Sequence, residues 1–94
     1  MYARVTKFKG NPGKIGEMEA NLDTNASKVA GISGIVGSFV VWNNDGDGQV
    51  VTVYESEDAA TTALPAVQEI WSGMADLLAG PPEVTNFENA YKMA

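Results

Sequence analysis

The chain has 94 residues, enough for one domain over residues 1–94 and too few for two separate cores. Its 45% hydrophobic and 19% charged content is that of a folded globular chain, not a disordered one. Twelve acidic against six basic residues leave a net charge of -6, so the cationic face that nucleic acid or anionic lipid requires is missing, and neither is expected as a partner.

There are no cysteines and no histidines. That removes disulfide scaffolds, thiolate and imidazole metal sites, His- or Cys-ligated haem, and nucleophile systems built on His. Catalytic groups are limited to carboxylates, Tyr, Lys, Ser and Thr, and no cofactor is expected. No apolar run approaches the ~18 residues of a membrane span, and Met1-Tyr2-Ala3-Arg4 lacks a signal-peptide core, so the expected location is cytoplasmic.

Residues 2–9, rich in β-branched and aromatic types and running into Gly10, read as a first strand. Asn11 before Pro12 is a capping pair. Ile15, Met18, Leu22 and Val29 then recur at helical spacing, which predicts an amphipathic helix over about 12–30 with Asn25 on its apolar stripe. Gly31 and Gly34 stop it.

Residues 35–43 and 49–55 are two further strands. Asn44-Asp45-Gly46-Asp47-Gly48 between them is dense turn chemistry, so they form an antiparallel hairpin. Oxygen side chains at Asn43, Asp45 and Asp47 imitate a calcium loop, but Tyr54 stands where the closing carboxylate belongs and a strand follows, so the hairpin reading prevails. Ser56, with Glu57 and Asp58 behind it, opens a second helix whose stripe is Ala60, Ala63, Leu64, Val67, Trp71, Met74 and Leu78. Pro65 inside that stripe predicts a kink or a break. Ala79-Gly80-Pro81-Pro82 terminates the helix, and 83–92 read as a fourth strand.

The order β-α-β-β-α-β is the ferredoxin-like arrangement, an α+β fold with both helices on one face of a four-stranded antiparallel sheet. The second strand is apolar on both sides: alternation puts Val36, Val40 and Trp42 on one face and Ile35, Phe39 and Val41 on the other. Helices cover one face only, so a homodimer is expected to bury the second.

Three segments, Tyr2-Ala3-Arg4-Val5-Thr6-Lys7-Phe8, Val53-Tyr54-Glu55-Ser56-Glu57-Asp58-Ala59 and Gly80-Pro81-Pro82-Glu83-Val84, resemble the antibiotic biosynthesis monooxygenase family of small dimeric α+β barrels. The resemblance covers nearly the whole chain. It implies a homodimer with a cavity inside each subunit for a small apolar or aromatic ligand, and, for an active member, cofactor-independent oxygenation of a phenolic or enolic compound. The cofactor-free aromatic oxygenases of the family resemble Asn-x-x-x-Trp-Glu-Ser on the third strand, with a Tyr six places after the Trp. Those three positions here hold Val50, Tyr54 and Ala60. The haem-degrading branch uses a His on the second helix, which this chain lacks.

Tyr54 is therefore the first candidate catalytic residue, as a proton relay, against the alternative of a strand-end ring packed in the core. Arg4, the only arginine, is the second: an inward guanidinium would stabilise an anion, whereas an exposed one or an ion pair would be structural. Val50, Thr52, Tyr54, Ala60, Trp71 and Trp42 are the expected cavity residues, Trp71 doubling as core. Val50 and Ala60, apolar where the active members are polar, favour the alternative of a non-catalytic binding or assembly module on the same barrel.

Overall fold

The computed structural model describes residues 1–94. Strand β1 (Tyr2–Lys9) pairs with β3 (Asp47–Tyr54) on one side and with β4 (Glu83–Phe87) on the other. β2 (Ile35–Trp42) pairs with the far edge of β3, so the antiparallel sheet runs β2-β3-β1-β4. This is the expected ferredoxin-like α+β fold. No helix is long and apolar enough to cross a membrane.

Both caps predicted from sequence are in place. The Asn11 side chain accepts from the Gly13 amide at 3.0 Å, and Ser56 Oγ accepts from the Ala59 amide at 3.1 Å. Each such cap contributes about 1 kcal/mol. The first predicted turn at Pro12–Lys14 is 3-10, and α1 proper is Ile15–Ala30.

Helix α2 (Glu57–Gly73) runs through Pro65, so of the two expectations, a kink or a break, the break does not occur. The reason lies in orientation. Pro65 and Thr61, whose carbonyl would have taken the missing N–H, are both exposed, so the orphaned oxygen lies on the solvent side of the helix. The α-helix also ends earlier than its apolar stripe. Met74 caps it and a 3-10 turn at Ala75–Leu77 carries Leu77 into the core. The last strand is shorter than the predicted 83–92, because pairing with β1 stops at Ala3↔Phe87.

A second correction concerns β2. The register steps from Ile35↔Tyr54 to Gly37↔Val53, so Val36 is an extra, bulged residue. Plain alternation assigned Ile35 to the face of Phe39 and Val41. The bulge instead returns it to the helix-covered face with Ser38, Val40 and Trp42, where it packs beside Tyr54.

Alternate residues of β1, namely Tyr2, Thr6 and Phe8, point at the helices and are buried. The core consists of two clusters at opposite ends of the sheet. Tyr2, Tyr54, Ala60 and Ala63 form one, and Phe8, Met18, Met74 and Leu77 form the other.

The β2–β3 turn closes through Asn43 N to Asp47 O and Gly46 N to Asn43 O, both 2.9 Å, and it docks on the end of β1 through Gly10 N to Gly46 O at 2.8 Å. Gly46 has φ +95°, and a Cβ there would strike the Gly10 carbonyl. Gly46→Ala therefore meets both left-handed strain and a backbone clash, and urea unfolding should show a loss of about 2 kcal/mol or more.

Candidate functional site

Between the two core clusters the helices stand off the sheet and leave a cavity of about 680 Å³. Its floor is the helix-facing side of β2 and β3: Ile35, Ser38, Val40 and Trp42 from one strand, Val50, Thr52 and Tyr54 from the other. Leu22, Asn25, Ala26 and Val29 of α1 form the roof, while Val67, Ile70 and Trp71 of α2 and Met74 beyond it close the back. Exposed lining residues, Asp23, Ala26 and Ala30 on α1 and Val36 and Trp42 on β2, place the mouth between α1 and the β2 edge. The volume is in the range of small-ligand sites, and the wall is predominantly apolar.

Tyr54 lies at the end of β3 with its residue 1% exposed, its ring embedded against Tyr2, Ala60 and Ala63. Arg4, its diagonal neighbour on β1, reaches towards it: Nη1 stands 3.5 Å from Tyr54 Oη, and the guanidinium carbon is 5.5 Å from the Tyr54 ring centroid. The rest of the guanidinium is held by Asn86 Oδ1, 3.1 Å from Nε, and by the Ala60 carbonyl at 3.5 Å from Nη1. Arg4 thus points to the helix side of the sheet and sits behind Tyr54 instead of in the cavity wall. Because the guanidinium only donates, Tyr54 Oη acts as acceptor towards it and keeps its own O–H proton for another partner.

Thr52 is buried, and its Oγ1 meets Ser38 Oγ across the β2–β3 pairing at 2.9 Å. This hydroxyl pair sits in the floor. Val50 lies beside it, as expected from strand alternation. Trp71 serves two purposes: its ring packs on Phe8 with centroids 6.1 Å apart, and it lines the back wall. Trp42 closes the hairpin end of the floor above Gly48, where a Cβ would collide with the Phe8 ring and Trp42 Cβ.

Ala60 departs from the expected cavity set. It is fully buried behind Tyr54, contacts the core cluster and supplies its carbonyl to Arg4, but it does not line the cavity. The family position it occupies lies on the inner face of α2, where the two alanines Ala60 and Ala63 let the helix approach the Tyr2 and Tyr54 rings.

Two lining groups were missed as site residues. Asn25 was legible as a polar residue on the α1 stripe, a position that an apolar core would not select. Ser38 was legible too, since strand alternation places it on the face of Val40 and Trp42.

No family model matches the chain, and no curated protein matches it. Solved structures do. A protein of unknown function from Nitrosomonas europaea superposes with TM-score 0.83 at 19% identity, over 99% of this chain and 93% of that one. A Caulobacter crescentus protein, provisionally named an antibiotic biosynthesis monooxygenase, gives 0.82 at 22% identity over 96% and 90%. A Deinococcus radiodurans protein with the same provisional name gives 0.81 at 14% over 100% and 97%. At these identities the likeness establishes the fold.

Both tryptophans of the chain line the cavity. Intrinsic fluorescence should therefore be quenched saturably by 4-bromophenol. Val29→Trp, which fills the roof, should weaken that binding by about tenfold or more, and unchanged quenching would place the ligand outside the cavity.

Proposed function

We propose that the protein is a monooxygenase-like homodimeric barrel that takes a small phenolic or enolic compound into the cavity of each subunit and oxygenates it without a cofactor. The observation that carries this reading is the cavity itself: an apolar chamber of about 680 Å³ with Tyr54, backed by Arg4, at one end. The neighbours bearing a monooxygenase name support the same class.

In this chemistry the substrate is its own reductant. The anion of an activated carbon acid such as an anthrone attacks O₂, one oxygen bonds to carbon, and protonation gives a hydroperoxide. Loss of water from it leaves a ketone, so the methylene's two hydrogens depart with the second oxygen. The protein contributes desolvation, orientation and proton delivery. Tyr54, whose O–H proton is not committed to Arg4, is the proposed relay, and Arg4 holds that phenol in place. Oxygen-electrode assays with an anthrone and quinol panel should show uptake stoichiometric with substrate, and Tyr54→Phe should lower kcat by about 10²-fold while changing folding stability by no more than about 1 kcal/mol. An unchanged rate in Tyr54→Phe would remove Tyr54 from the mechanism.

A second reading has its own support. The floor hydroxyls Ser38 and Thr52 are bonded to each other, Val50 is apolar, and Ala60 is outside the cavity, which suits a binding or assembly module with no turnover. That reading predicts ligand-induced stabilisation, about 2.7 kcal/mol at a hundred times Kd, with no oxygen uptake.

The proposed dimer rests on the face of the sheet that the helices leave open. Phe39, Val41 and Phe87 are 71%, 54% and 49% exposed there, with Val5, Val51 and Val53 between them. The chain exposes 6092 Å² of surface. A folded monomer of this mass exposes about 5,200 Å², and the excess of about 900 Å² is close to what each partner of a stable interface buries. Phe39→Glu should convert a dimer to a folded monomer in sedimentation equilibrium; a monomeric wild type would overturn this part of the reading.

A further inference from the structure

The cavity wall contains few polar side chains other than the two indoles. Ser38 and Thr52 share one hydrogen bond, which leaves one hydroxyl proton of the pair free to donate. Tyr54 accepts from Arg4 and keeps its own proton to donate. Asp23 stands exposed at the rim, where water solvates it. Asn25 is different. Its Nδ2 donates to the Asn21 carbonyl at 3.0 Å and to Asn21 Oδ1 at 2.8 Å. A backbone carbonyl only accepts, which fixes the amide orientation: the nitrogen faces Asn21, and both of its protons are engaged. Its Oδ1 receives no donor from the protein, and it is not sealed off, since no buried side-chain oxygen or nitrogen lacks a partner.

Asn25 is therefore a half-buried, pre-oriented amide on the apolar stripe of α1, between Leu22 and Val29 in a roof that is otherwise apolar. It has only an acceptor left to offer. From this we infer that Asn25 is a specificity-determining residue of the cavity: its Oδ1 accepts a hydrogen bond from a hydroxyl on an aromatic ligand. The Asn21 contacts hold the acceptor in place before binding, so little rotamer freedom is lost on complex formation. The chemistry selects an O–H donor. An ether or a methyl at the same position would leave the amide oxygen desolvated and unpartnered, a state that sites built to bond a hydroxyl discriminate against.

The inference rests on the cavity being the ligand site, and the test separates the two. Binding of 2-naphthol and 2-methylnaphthalene, which exchange a hydroxyl for a methyl on one ring system, is measured by calorimetry on wild type, Asn25→Leu and Asn25→Ala. The two variants guard against a folding defect in either, with circular dichroism as the check. Wild type should favour the naphthol over the methyl compound by a ratio about tenfold larger than in both variants, because the variants lose affinity for the naphthol alone. If both compounds bind and the ratio is the same in wild type and variants, Asn25 does not read the hydroxyl and the inference falls while the cavity reading stands. If neither compound binds the wild type, the cavity reading falls and the inference with it.

Discussion

Two small clusters of buried side chains, one at each end of the sheet, hold both helices away from its middle. At one end Ala60 and Ala63 bring α2 close to the Tyr2 and Tyr54 rings; at the other Met18 of α1 and Met74 and Leu77 beyond α2 converge on Phe8. Between them the floor is built of short or β-branched side chains, Ser38, Val40, Val50 and Thr52, that do not reach across. A well-packed interior tolerates few voids larger than a water molecule, so a space of about 680 Å³ between two packed ends is a feature of the architecture.

The same division explains which parts of the molecule were legible in sequence. Strand β1 and the β2–β3 hairpin announced themselves through β-branched runs and Asp-Gly turns, and the helix starts through Asn11 and Ser56, because these signals are local. What failed was non-local. The side on which Ile35 lies is set by one extra residue, Val36, and alternation gives no notice of it except the glycine that follows. Ala60 shared a stripe with true wall residues, yet its small size lets α2 close on the sheet at that point, so it became core. At Pro65 the residues left a kink or a break open, and the helix does not break; the lost hydrogen bond lies on its exposed side.

Arg4 illustrates how a single charge can be placed without an ion pair. It is flanked by Asn86 and the Ala60 carbonyl and lies against the Tyr54 ring, an aromatic face that attracts a guanidinium. All of its close partners are neutral. A carboxylate in the same place would have cancelled the charge, whereas amide, carbonyl and ring fix its geometry and leave its field intact next to Tyr54. That arrangement serves a structural end, joining β1, β3, β4 and the first turn of α2, and it orders the phenol at the same time.

The wall chemistry constrains what the proposed reaction requires of its substrate. Apart from Tyr54, the only ionisable side chain bordering the cavity is Asp23, and it is at the solvent-exposed rim. No lysine or glutamate faces the chamber, so a strong carbon acid or a phenol must reach its anion largely by its own acidity, with the protein selecting and orienting it. Recognition then carries more of the burden than general base catalysis. A fixed acceptor in the roof at Asn25, a paired hydroxyl couple in the floor at Ser38 and Thr52, and aromatic surfaces at Trp42 and Trp71 are suited to holding a flat, hydroxylated ring. Such a cavity discriminates by hydrogen-bond polarity and shape, and in an oxygenation driven by substrate acidity that discrimination is the main lever left to the protein.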